Sequence, residues 1–285
     1  MSEPLTLDPS QLPDISNLVL EDDTPLDSFI KEKQQRLLTT VLYSGGDTGI
    51  TVPFIAAANV GLFSSVRLPG IAPDVFLSVN ITGAEDWWEK QQVRSYLFWE
   101  FGKPPEIAIE IVSPTPGNEL GSKLIDYARM RIPYYVVYDP LRELKGSTLR
   151  VFELQNQSYV PKSDAWFPEV GLGLTLWQGE FENVGGTWLR WCYASGEPIP
   201  TGDELAAQKD AQLSQKDAQL LEEQARTKQA FIQAIELGLR LKFPDEGLLL
   251  LEEIAGISDV GVLQAIASYM PAANNLEEIR QIYQP

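Results

Sequence analysis

The chain has 285 residues, 22 Lys or Arg against 40 Asp or Glu for a formal net charge of -18, a hydrophobic fraction of 44%, one cysteine and no histidine. These numbers allow one domain of about 150 to 200 residues plus an appendage, and they exclude an intramolecular disulfide, a thiolate metal cage, imidazole catalysis and His-ligated zinc. Carboxylates, Lys, Arg, Tyr and hydroxyls remain as chemical actors, a set better matched to magnesium or manganese than to zinc.

No stretch approaches the ~20 apolar residues of a membrane span, and the N-terminus lacks a signal-peptide pattern. A cytoplasmic protein without membrane attachment is expected. Residues 1–25 are rich in Pro, Asp and Ser without periodicity, and predict an acidic disordered tail. The segment from Leu26 predicts a helix capped by Asp27 or Ser28 and ended at Gly45-Gly46. Ile50 to Val66 predicts two short strands with a turn at Gly61, and IAPDVFLSV a further strand with Asp74 at its start, directly after Pro73.

Gly83 to Lys103 mixes charge with Trp87, Trp88, Tyr96, Phe98 and Trp99. Beside Lys90, Arg94 and Lys103 these rings could stack nucleic-acid bases; packing on the core or on a second subunit is the favoured reading.

Pro104 to Pro140 organises the chain. It predicts a buried strand (Glu106 to Val112), a Ser-Pro-Thr-Pro-Gly turn, an amphipathic helix over about Asn118 to Met130, and a second apolar strand (Tyr134 to Tyr138). A strand–helix–strand unit with both strands apolar predicts a parallel pair in a covered sheet. Glu110 interrupts the run IAIEIV, where an unpaired carboxylate costs several kcal/mol. It therefore has a strong partner or faces a site. If the Asp74 strand is its neighbour, two carboxylates about 4 Å apart repel by roughly 4 kcal/mol at an effective dielectric near 20, and a divalent cation would relieve that. Lys123 and Tyr127, four apart, share one helix face that could address Glu110.

Asp74 in PD, Glu110 in EIVSP, Lys123 and Tyr127 in K-x-x-x-Y, and the strand YYVVYDP together resemble the Uma-type putative restriction endonuclease family, a branch of the PD-(D/E)XK nuclease superfamily, over roughly residues 25–205. The resemblance implies a restriction endonuclease-like α/β (α+β) fold: a mixed central β-sheet flanked by helices, here with a C-terminal helical extension. It implies DNA as the substrate, Mg2+ or Mn2+ held by Asp74, Glu110 and the carbonyl of Ile111, and catalysis by Asp74, Glu110 and Lys123. The superfamily lysine stands two residues after the acid, where this chain has Val112, so Lys123 would supply the amine from the helix. The resemblance further implies an acid, a His and a Gln in the opening helix. Asp27 and Gln34 match, with Lys31 where the His would fall; the alternative for Asp27 is an ordinary helix cap.

Downstream, TLRVFELQNQSYVP predicts a hairpin turning at Gln155 to Gln157, and the Gly-punctuated stretch to Gly202 further strands that extend the sheet or cover its edge. AQKDAQL (Ala207 to Leu213) is followed by SQKDAQL (Ser214 to Leu220), which predicts a helix to about Leu239 with a poor seam, a spacer or weak coiled coil joining homodimers. Residues 241–285 predict two or three short helices. The expected organisation is a tail (1–25), a nuclease-like domain (26–200), a helical spacer (201–240) and a helical tail (241–285).

Charge bears on function. Residues 1–30 carry seven acids and no base, whereas nine Lys or Arg nearly balance ten Asp or Glu between Glu85 and Arg150. No basic stripe is present, so weak or selective DNA binding is expected. Three readings stay open: a metal-dependent endonuclease, a catalytically inactive nuclease-fold scaffold assembling through its C-terminal helices, and a hydrolase using two carboxylates as acid and base.

Overall fold

The structure, a computed structural model, describes residues 28–44, 46–81, 95–113 and 118–284. The acidic tail, Asp27, the Trp87-Trp88 segment and the Pro114–Gly117 turn lie outside the described residues. The chain divides into two units, Met1–Leu205 and Ala206–Pro285.

The first unit is a mixed α/β fold on a six-stranded mixed sheet. In chain order its first elements are α1 (Phe29–Tyr43), β1 (Phe54–Ala58), β2 (Leu62–Phe63), β3 (Val75–Val79), β4 (Tyr96–Leu97) and α2 (Phe98–Phe101). They are followed by β5 (Ile107–Ile111), α3 (Ser122–Arg129), β6 (Tyr134–Tyr138), β7 (Leu149–Gln155) and β8 (Ser158–Lys162). The sheet order is β1-β3-β5-β6-β7-β8. Within this six-stranded sheet β5 and β6 are the parallel pair, joined by α3, as the strand–helix–strand pattern predicts. The other neighbours are antiparallel. β7 and β8 form the expected hairpin, turning through Asn156 at φ 59.

Side chains alternate across the sheet, and each face has its own core. Val75, Leu77, Ile107, Ile109 and Val136 point to one face and pack with Leu38, Val41 and Leu42 of α1. Phe76, Ala108, Val112, Tyr135 and Val137 point to the other and pack with Tyr127 and Ala128 of α3. Each fully buried aliphatic side chain contributes roughly 1.5–3 kcal/mol.

The stretch after the hairpin does not extend this sheet. β9 (Trp166–Phe167), β10 (Leu172–Phe181) and β11 (Val184–Cys192) form a separate three-stranded sheet. Its Leu172, Leu174, Leu189 and Trp191 complete the α1-side core. Trp191 Nε1 donates to the carbonyl of Leu38 at 2.7 Å, so the indole is satisfied where it is buried. The edge strand β1 is guarded by Tyr43, whose hydroxyl accepts from Ala56 N at 2.8 Å.

α4 (Gly202–Lys242) contains both copies of the heptapeptide, and Pro244 follows its end. In the second unit α5 (Gly247–Ala255), α6 (Val260–Tyr269) and α7 (Leu276–Tyr283) close around Ile235, Leu239, Leu250, Ile254, Leu263, Ile266 and Ile279. Asp259 and Asn275 cap α6 and α7. Leu213 and Leu220 of the repeat, and Leu221 just after it, are exposed. No helix among the described residues is long and apolar enough to cross a membrane.

Candidate active site

The register of β3 against β5 pairs Val75 with Ile109. One step further puts Asp74 across from Glu110, at the ends of two central strands. Both are buried, Asp74 at 4% exposure and Glu110 at 2%. Buried charge demands partners, and each carboxylate receives its own pair from a different helix.

Glu110 is served by α3. Lys123 Nζ lies 2.9 Å from Oε2 and Tyr127 donates its hydroxyl to Oε1 at 2.6 Å. The i, i+4 spacing sets both groups over one carboxylate. α3 begins at Ser122 and not at Asn118, because Asn118 sits at φ 66 and folds its amide back to Ser122 Oγ at 3.0 Å. The chain passes so close there that a Cβ on Gly121 would meet Asn118 Oδ1 at 2.1 Å.

Asp74 is served by α1. Lys31 Nζ lies 2.7 Å from Oδ1 and Gln35 Nε2 donates to the same oxygen at 3.2 Å, again an i, i+4 pair. Oδ2 accepts the backbone N–H of Ile111 at 2.6 Å. Asn59 Nδ2 donates to Gln35 Oε1 at 3.1 Å, which turns the Gln35 amide so that its NH2 faces Asp74. The opening turn of α1 is fixed by Ser28, whose Oγ accepts from Lys31 N.

Burial first, and the charge of Asp74 second, push the Glu110 carboxyl up to about 7; the Lys123 charge and the bonds from Tyr127 and Lys123 oppose them. The Tyr127 phenol is raised well above its ordinary value by burial and by Glu110. Each buried carboxylate is thus touched by one ammonium. Lys31 and Lys123 retain 19% and 30% side-chain exposure, so both face outward from the strand ends.

The fold therefore brings together Asp74, Glu110, Lys123 and Tyr127, with Ile111 contributing its N–H. Gln34 is elsewhere. Its amide is spent on the backbone of β11, donating to Leu189 O at 2.8 Å and accepting from Leu189 N at 2.9 Å. The glutamine at the carboxylates is Gln35. Helical phase separates them: at about 100° per residue Gln34 follows the Leu38 and Val41 stripe, whereas Gln35 lies under Lys31. Gln35, Asn59 and the Lys31–Asp74 pair are the members that sequence reasoning missed, and the Lys31/Gln35 spacing was the available signal. Val112, where the superfamily lysine would stand, is buried in the α3-side core. Asp27 lies outside the described residues.

Among the described residues there is no group of three or more His, Cys, Asp and Glu able to hold a metal ion. Two buried carboxylates are nevertheless a hard-oxygen donor set. They fit magnesium or manganese, which are bound through one or two carboxylates and keep several waters.

A family model described as "Putative restriction endonuclease" matches residues 19–177, more than half of the chain. No curated protein matches. The match spans α1, β3, β5, α3 and β6, and with it all the residues around the two carboxylates. The chain belongs to the Uma2 family of restriction endonuclease-like proteins.

Proposed function

We propose that this protein is a metal-dependent endonuclease that hydrolyses DNA phosphodiester bonds. The observation that carries the reading is the convergence of Lys123 and Tyr127 on Glu110, beside Asp74. Asp74 and Glu110 would hold Mg2+ or Mn2+, with the carbonyl of Ile111 as a further ligand. The ion, when bound, supplies Lewis-acid stabilisation of phosphoryl oxygen and acidifies water. Lys123 orients the attacking water or stabilises charge on the scissile phosphate. Tyr127 and Gln35 hold the two carboxylates in orientation, and Asn59 holds Gln35.

DNA binding is weak or selective in this reading, because a net charge of -18 opposes phosphate approach. The protein works in the cytoplasm. It assembles as a homodimer through α4, a reading supported by the tandem heptapeptide with exposed Leu213 and Leu220. A monomer mass in sedimentation equilibrium at all concentrations would remove that assembly.

The test is calorimetric titration with Mn2+ of the native protein and of Glu110→Gln, with plasmid nicking assayed on the same samples. Binding and nicking lost together in the variant support the nuclease. Absence of metal binding in the native protein overturns it. One observation favours a second reading, an inactive scaffold: both carboxylates already carry a lysine partner. Metal binding without cleavage would support that alternative.

A further inference from the structure

Lys31 is a cation in the first turn of α1, where the helix dipole disfavours positive charge. Asp74, 2.7 Å away, offsets that cost. The two oxygens of Asp74 differ. Oδ2 is fixed by the rigid N–H of Ile111 at the end of β5. Oδ1 is the adaptable one, touched by the Lys31 ammonium and the Gln35 amide. With Glu110 ionised, the two carboxylates of Asp74 and Glu110 each face one ammonium, of Lys31 and of Lys123. A divalent cation brought to the carboxylates adds two positive charges to a buried place and meets an ammonium already on Oδ1. Lys31 has a flexible four-carbon stem and keeps 19% side-chain exposure, so its ammonium has room to move off Asp74.

We propose that Lys31 is a tethered counter-ion that occupies the outer oxygen of Asp74, competes with the divalent metal for it, and so holds the metal affinity of the site down. The inference rests on the metal-site reading above. It differs from that reading in predicting that removal of a residue touching the site strengthens metal binding. A merely structural Lys31 would do the opposite, because its loss would loosen Asp74.

The experiment is Mn2+ titration by calorimetry on the full chain, with the native protein, Lys31→Met, Lys31→Gln and the double variant Lys31→Met/Glu110→Gln. Far-UV circular dichroism checks the fold, and the Mn2+-induced rise in Tm is a second readout. The expected result is a Kd at least tenfold lower in Lys31→Met, a larger Mn2+-induced rise in Tm, and loss of both in the double variant. If Lys31→Met does not fold, Lys31→Gln, which keeps most of the side-chain length, carries the same expectation. Glu110-dependent binding that is unchanged or weaker without Lys31 overturns the counter-ion and leaves the metal site standing. Absence of Glu110-dependent binding in every protein removes both.

Discussion

The Glu110 carboxyl gives a sharp expectation in the metal-free protein. Burial and the neighbouring Asp74 raise it from 4.5 to about 7, against the opposing Lys123 and Tyr127. A carboxyl that holds its proton more tightly folded than unfolded favours the folded state most when protonated. Its contribution is therefore fully present below pH 4.5 and is lost as pH rises through 7. At roughly 1.4 kcal/mol per pH unit, the interval corresponds to about 3 kcal/mol. Glu110→Gln keeps the size and loses the proton, so it lacks this dependence. Urea unfolding of both proteins in EDTA, from pH 4.5 to 8, should show native stability falling relative to the variant by about 3 kcal/mol, with most of the loss by pH 7. A difference that stays flat, or that moves in favour of the native protein as pH rises, would refute a carboxyl buried beside a second charge.

Other substitutions separate the groups at the carboxylates from those that only hold the fold. Tyr127→Phe leaves Oε1 of a buried carboxylate without its donor and should cost about 2 kcal/mol at pH 8, read by the same unfolding assay. It should also move the Glu110 transition to higher pH, because the lost bond favours the ionised form. Gln34→Leu strands both backbone groups of Leu189 and should cost roughly 2 kcal/mol at every pH. The pH dependence contributed by Glu110 should survive it unchanged, and a shift there would place Gln34 at the carboxylates after all. Gln35→Leu should weaken Mn2+ binding by about tenfold in calorimetry, because it frees Asp74 Oδ1 from its orienting amide.

Much of the fold was legible because the central strands are apolar on both faces and the connector between two of them is helical. IAIEIV and YYVVY could only be covered strands, and α3 between them made the pair parallel. Glu110 was legible as an anomaly by the cost of its burial alone. The three-stranded sheet was harder, since β10 and β11 alternate only in their outer halves and their inner ends bury Leu174 and Trp191 like any core strand. Sequence spacing could not tell an added edge from a second layer. Gln34 and Gln35 were adjacent, and the residue facing the carboxylate was decided by which one shared the Leu38 stripe. Asn59 had no sequence signal: it reaches the site at φ 54 just beyond β1, a position set by the turn and not by any motif.

Placing the amine on a helix and not on the strand changes what the site depends on. With Val112 in the strand position, the face beside Glu110 stays apolar and packs against Tyr127 and Ala128. The lysine and the tyrosine then arrive together, one turn apart, so the docking of α3 brings both groups to Glu110 at once. α1 does the same from the opposite face with Lys31 and Gln35. The carboxylates stand on the rigid ends of β3 and β5, while their partners ride on two helices held by separate cores. Any displacement of either helix removes a charge and a hydrogen bond from the same carboxylate, and the buried acids make such displacement costly. The packing of the two cores and the electrostatics of the site are therefore one coupled problem: the acids that would bind metal also fix the helices that cover them.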